Sequence, residues 1–229
     1  MTCDNLQTIQ QNIARAAGRS GRTADSIQLV AVSKCKDIEV IKQAVSCGQH
    51  VFGENYLQEA EQKITLLKNE NLCWHFIGHL QSNKARLAAE LFDVIETVDR
   101  IKIARALDRH AGALDKELRI FIQVNIGREK QKHGVLPEDA ENLLKLINRE
   151  TELKILGLMG MPPHTSDPEA GRSYFREMKK LSDQLAQKKL FADNNAVQLS
   201  MGMSADYAIA IEEGATLVRV GTALFGRRE

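Results

Sequence analysis

Apolar residues near the start of the chain recur at helical spacing. Leu6, Ile9, Ile13 and Ala16 are separated by three or four positions and form one stripe, which predicts an amphipathic N-terminal helix. From residue 27 the period changes. Residues 27–34 (IQLVAVSK) are apolar and β-branched and predict a buried strand. A helix follows with Ile38, Ile41 and Val45 on one face, and Gly48 suits its C-terminal cap. The alternation then repeats. Further strands are predicted over 50–53, 73–78, 92–98, 118–126, 153–159, 196–200 and 216–221. Between them lie helical stretches, among them one with Leu57, Ala60, Ile64 and Leu67 inward and one with Ile101, Ala104, Leu107 and Leu114. Later helices carry Ala140, Leu143, Leu144 and Ile147, then Tyr174, Met178, Leu181 and Leu185. Others are predicted over 83–90 and 205–213, with a helical turn after the last strand.

Eight strands, each followed by helical pattern, imply parallel strands with helices outside. The expected fold is therefore α/β, a single (β/α)8 TIM barrel over 1–229 with an additional N-terminal helix. The rival is an open doubly wound sheet, which expects a glycine-rich turn after its first strand. Here that turn reads Ser33-Lys34-Cys35-Lys36-Asp37 and contains no glycine, which favours the barrel.

Composition narrows the function classes. The 229 residues are 43% hydrophobic and 27% charged, with 31 Lys+Arg against 30 Asp+Glu. A near-neutral chain lacks the basic surplus that nucleic-acid binding requires. No run approaches the ~20 apolar residues of a membrane span. The four cysteines, Cys3, Cys35, Cys47 and Cys73, include no C-x-x-C pair, and no secretory signal precedes them. Reduced thiols in a cytoplasmic protein are expected. Polar outer helix faces suggest a monomer.

In a barrel the chemistry lies at the C-terminal strand ends. Strand 1 ends in Ser33-Lys34. If Val32 faces inward, so does Lys34, where partial burial and the nearby ammonium of Lys36 lower its pKa. A neutral amine is what a Schiff base with an aldehyde needs. The bland reading is a lysine that ends a strand and reaches out to water. The ends of strands 7 and 8 supply Ser200, Gly202, Ser204, Gly221 and Thr222, hydroxyls and backbone N–H groups where barrels commonly hold phosphate. Ser204 is also a plausible N-cap for the helix after it. Arg219 interrupts an otherwise apolar strand. A buried guanidinium needs a partner, either a carboxylate at the barrel mouth or a ligand. His75 and His79 are four apart, but they fall on a strand pattern and lack the glutamate of H-E-x-x-H, so no metal site is expected. The basic loop 127–134 (GREKQKHG) reads as solvated, and no G-x-S-x-G elbow supports serine catalysis.

These residues carry a resemblance. A-V-S-K at 31–34, F-G-E-N-Y at 52–56, W-H-F-I-G-H-L-Q-S-N-K at 74–84, G-L-M at 157–159, S-M-G-M-S-A-D at 200–206 and V-R-V-G-T-A-L-F-G at 218–226 resemble the pyridoxal phosphate homeostasis protein family, also called the YggS or PROSC family. The resemblance covers nearly the whole chain. It implies a pyridoxal 5′-phosphate (PLP) barrel similar to the alanine racemase N-terminal domain, fold type III. It implies Lys34 as the PLP lysine, Ser200, Gly221 and Thr222 at the phosphate, Arg219 facing the pyridine nitrogen, and Asn55 close to the cofactor. Many relatives have a proline shortly after the lysine; this chain has Asp37 there.

An arginine cannot accept a proton, so it leaves the pyridine nitrogen unprotonated and weakens the ring as an electron sink. Alanine racemase is similar only in its barrel, and its second domain supplies a catalytic tyrosine. This chain stops at Glu229, soon after strand 8, so that domain is not expected. None of Tyr56, Tyr174 and Tyr207 can be assigned as a base. The reading is a PLP carrier of vitamin B6 homeostasis with no assigned catalytic residue, passing PLP to apo-enzymes, with Lys36 and Lys132 as secondary attachment points. The alternatives are a fold-type-III racemase or related enzyme, and a cofactor-free Schiff-base aldolase.

Overall fold

The computed structural model describes residues 2–163 and 165–226. Eight parallel strands close on themselves in sequential order, β1 (Gln28–Val32), β2 (Val51–Glu54), β3 (Cys73–Phe76), β4 (Val94–Val98), β5 (Arg119–Val124), β6 (Lys154–Gly160), β7 (Gln198–Ser200) and β8 (Leu217–Val220). The ring is sealed by β8 against β1, with Val30 opposite Arg219. Around it lie α2 (Ile38–Ser46), α3 (Leu57–Leu66), α4 (Ala85–Leu91), α5 (Ile101–Gly112), α6 (Pro137–Glu150), α7 (Arg172–Gln187), α8 (Tyr207–Glu212) and the short α9 (Thr222–Phe225), preceded in the chain by α1 (Thr2–Arg19). This is the expected barrel with its additional N-terminal helix.

The alternation of side chains along each strand makes two cores. Val30, Val94, Phe121, Met159 and Leu217 fill the barrel interior, with Val51 and Cys73 packed against them. Their strand neighbours, such as Leu29, Ala31 and Ile120, face the helices in a larger outer core. Between β6 and β7 the backbones approach so closely that a Cβ on Gly157 would lie 1.7 Å from Gln198 O, so only glycine allows that pairing.

Helix α1 buries Leu6, Ile9, Ile13 and Ala16, as its stripe predicts. It packs on α8, α9 and α2. Asn5 Nδ2 donates to Leu224 O at 2.9 Å, Asn12 Nδ2 to Tyr207 Oη at 3.1 Å, and Arg19 pairs with Glu212 at 2.6 Å. The same docking overturns the expectation of four free thiols. It brings Cys3 and Cys47 to a Cα separation of 5.6 Å, and they form a disulfide between α1 and the end of α2, a pairing that no local spacing announces.

Three helix faces differ from expectation. In α3 the inward place next to Ala60 belongs to Lys63, and Ile64 is only half-buried. Helix α5 buries Ile103, Ala104, Leu107 and Ala111, whereas Leu114 lies beyond its end and is exposed. Helix α7 is rotated by about one position, with Phe175, Met178, Ser182 and Leu185 inward. In each case a buried polar residue or a short helix outweighs the simple apolar count. No described helix is long and apolar enough to cross a membrane.

Candidate functional site

Strand β1 ends at Val32, two residues before the expected end, so strand alternation does not itself orient Lys34. Ser33 N still donates to Gly53 O at 3.1 Å. Lys34 and Cys35 are then the central pair of a turn closed by Lys36 N and Ser33 O at 3.1 Å, and Cys35 adopts φ 57°. Buried groups behind the turn fix it. Lys63 Nζ donates to Ser33 O at 2.7 Å, to Glu54 Oε1 at 2.8 Å and to Glu59 Oε1 at 2.5 Å, while Cys35 N donates to Glu59 Oε1 at 2.6 Å. Ser33 Oγ donates to Glu54 Oε1 at 2.7 Å. Burial raises the Glu54 pKa, with Lys63 opposing it. Lys34 is half-buried, at the barrel mouth.

Strand order places that turn between the ends of β2 and β8. On the β2 side, Asn55 has a buried side-chain oxygen with no partner. On the β8 side, a Cβ on Gly221 would come 3.2 Å from Val32, so the two strand ends are in close contact. Thr222 is exposed at the start of α9. Contrary to expectation, Ser204 does not cap α8, and Asp206 takes that position. Its hydroxyl instead accepts from Gly221 N at 3.3 Å and Ala223 N at 3.2 Å, which ties the loop after β7 to the end of β8.

Arg219 and Ser200 lie deeper. Arg219 Nη1 donates to Ser200 Oγ at 2.6 Å, and Nη2 to Gly160 O at 3.1 Å. Ser200 Oγ donates to Glu96 Oε2 at 2.5 Å, and His75 Nδ1 bonds Glu96 Oε1 at 2.6 Å. Of the two readings of Arg219 left open by the sequence, the structure supplies the carboxylate partner, Glu96, through Ser200. Burial lowers the Arg219 pKa, opposed by the Glu96 charge. Burial alone would raise the Glu96 pKa, but His75, Arg219 and Ser200 hold it low. Burial likewise disfavours charge on His75, yet hydrogen bonds to Cys73 and Glu96 raise its pKa to about 9. The sequence reading missed Glu96 and His75, although a glutamate within the apolar D-V-I-E-T-V carries the same signal as Arg219.

A cavity of about 420 Å³ opens at the mouth, lined on one side by Asn55, Gly78, His79 and Thr97 and on the other by Met161, Pro162, Met203, Ala205 and Asp206. That is the size range of cofactor pockets. Asn55 lines it directly. Gly221 is linked to its wall through Ser204, between Met203 and Ala205. Lys132 of the basic loop also lines it, donating to Pro162 O at 3.1 Å and pairing with Glu129. Arg128 of that loop pairs with Glu177 at 3.0 Å, so the loop is tied down and not merely solvated. His75 and His79 diverge, the first into the barrel and the second to the mouth, where its ring stacks on His133 with centroids 3.6 Å apart. Burial and the His133 charge lower the His79 pKa.

A closed, parallel eight-stranded barrel with its helices outside is the fold of the alanine racemase N-terminal-domain class. The family model described as "Alanine racemase, N-terminal domain" matches residues 5–229. Over 227 residues the chain is 44% identical to the pyridoxal phosphate homeostasis protein of Pasteurella multocida, covering 98% of this chain and 97% of that one. It is 39% identical over 228 residues to the protein of the same name from Escherichia coli K12, covering 98% and 96%. The solved structure of PipY of Synechococcus elongatus with PLP bound superposes with a TM-score of 0.84 at 34% identity, over 99% of this chain and 100% of that one. An alanine racemase of Clostridium difficile, at 15% identity and TM-score 0.73, shares the fold over 98% of this chain and 57% of its own. The chain belongs to the pyridoxal phosphate homeostasis protein family.

Proposed function

We propose that the chain binds PLP, with Lys34 as its covalent anchor, and holds or delivers the cofactor in PLP homeostasis. The observation that carries this is the placing of the Lys34 turn between the β2 end, where Asn55 lines a cofactor-sized cavity, and the β8 end at Gly221. The unpartnered oxygen of Asn55 is a buried acceptor that a polar ligand would satisfy. When bound, PLP supplies an aldehyde, a phosphate and a pyridine ring that can accept electron density. Thr222 and the backbone at Gly221 are assigned to the phosphate. Arg219 is assigned to the ring nitrogen, where it has no acceptor for a proton. Ser200 is assigned to orienting Arg219, because its hydroxyl is committed to Arg219 and Glu96.

The proposed role is a carrier and not a robust enzyme. Catalysis in the racemase manner needs two placed acid–base groups, each contributing roughly 10²–10⁴-fold. Tyr207 turns its hydroxyl to Asn12 on α1, away from the cavity. Lys36 donates to Phe225 O at 3.1 Å at the same barrel end, which keeps it and Lys132 as secondary attachment points. We place the protein in the cytoplasm as a monomeric, single-domain carrier supplying apo-enzymes.

The test is a visible absorbance spectrum of the protein with PLP, followed by borohydride reduction and peptide mapping. The expected adduct is on Lys34, and Lys34→Ala abolishes the absorbance band. An adduct only on Lys36 or Lys132 overturns the anchor. PLP transfer to an apo-enzyme and enantiomer conversion by chiral chromatography test the carrier role. Racemase turnover above about 1 s⁻¹, near the low end of ordinary enzymes, overturns it.

A further inference from the structure

We propose that His79, Asp99 and His133 form a binding site for a divalent transition-metal ion at the barrel mouth, on the rim of the cofactor cavity. The three residues follow β3, β4 and β5, three neighbouring strands, and are separated by up to 54 positions in sequence. Each offers one ligand atom, and these atoms all lie within 4.8 Å of one another. The two imidazoles stack face to face, 14° from parallel.

The backbones beneath them are fixed. Thr97 Oγ1 donates to Gly78 O at 2.6 Å, and a Cβ on Gly78 would sit 2.1 Å from Asn55 O, so the residue that presents His79 is clasped on two sides. His133 O accepts from Gln123 Nε2 at 3.2 Å, and Gly134, at φ 122°, packs where a Cβ would lie 2.6 Å from Asn125 N. Arg100 donates to Asp99 Oδ1 at 2.5 Å and to Leu80 O at 3.2 Å, which orients the carboxylate while its second oxygen stays available. Only side-chain torsions need to change for the ligand atoms to converge. The χ2 wells of histidine are broad, and both imidazoles are exposed.

The donor set selects the ion. Two imidazoles and one carboxylate suit zinc and its first-row neighbours, whereas calcium and magnesium take mostly oxygen ligands. Three protein ligands leave coordination positions open. His79 and His133 line the cavity, so those positions face a bound small molecule.

The experiment is equilibrium dialysis of the full chain against Zn²⁺ in the presence of a weak competing chelator, with and without PLP. One equivalent is expected in both states. His79→Ala and His133→Ala should each weaken binding at least about tenfold, since loss even of a group that only supports a ligand typically costs that much. His50→Ala, which removes an exposed imidazole before β2 at the opposite end of the barrel, should leave binding unchanged. Both histidines are exposed, so thermal melting of the variants should match the parent and separate ligand loss from unfolding. Absence of stoichiometric binding, or binding undiminished in both histidine variants, overturns the proposal.

Discussion

Arg219 Nη1 stands 3.8 Å from Glu96 Oε2 inside the barrel, with both side chains buried. Ser200 Oγ bridges them, and His75 holds the other carboxylate oxygen. Glu96 is thus the shared counter-charge of two buried cations. Glu96→Gln removes that charge and leaves both cations buried. Breaking a buried pair in this way costs about 3–5 kcal/mol. Urea unfolding should show the midpoint lowered by that free energy divided by m, at similar m-value. A loss below about 1 kcal/mol would mean that water already screens the cluster.

His75 makes stability depend on pH. Its pKa is raised to about 9, from 6.5 in an unfolded chain. The stabilisation from its protonated form is complete below the unfolded value and is lost as pH rises through the folded one. Stability should therefore fall between about pH 6.5 and 9, by on the order of 3 kcal/mol from this group. Thermal melts across that window check the direction, and His75→Gln should flatten the slope. A slope unchanged in that variant would assign the titration to another group.

The phosphate contact proposed for Thr222 can be tested apart from ring binding. Thr222→Ala should weaken PLP more than pyridoxal, by about 1.5–3 kcal/mol for a lost charge-assisted hydrogen bond. Titration of the two ligands followed by absorbance makes the comparison. Equal weakening would move the phosphate elsewhere.

Gly78→Ala tests the packing between the β3 end and Asn55. Its Cβ would come 2.1 Å from Asn55 O, a backbone atom that cannot turn aside. A cost of about 1–3 kcal/mol or more is expected from the forced shift. PLP affinity should fall with it, because Asn55 moves. A variant as stable as the parent with unchanged affinity would show that this loop yields freely.

The eight strands, their order and the N-terminal helix were legible because a period of two and a period of 3.6 alternate cleanly along the chain. Lys34, Asn55 and Gly221 were legible as strand-end residues. The route from Arg219 to Glu96 was not, because their partnership is set by barrel curvature over 123 positions and leaves no local pattern. Lys63 was not singled out, because its role, holding Ser33 O and Glu54, depends on how α3 sits over β1 and β2. The roles of Ser200 and Ser204 were read from position alone, and only the hydroxyl directions separate a ligand contact from an internal tie.

The seating of α1 has a consequence for biosynthesis. Asn5 is bonded to Leu224, 219 positions away, and β1 must wait for β8. At a synthesis rate of roughly 5–20 residues per second, about 10–45 s pass between the appearance of the first helix and of its docking surface. During that interval α1 lacks the cover of α8 and α9, and α2 is the docking helix already made. Until β8 and α9 have emerged, neither the barrel seam nor this face of α1 can close.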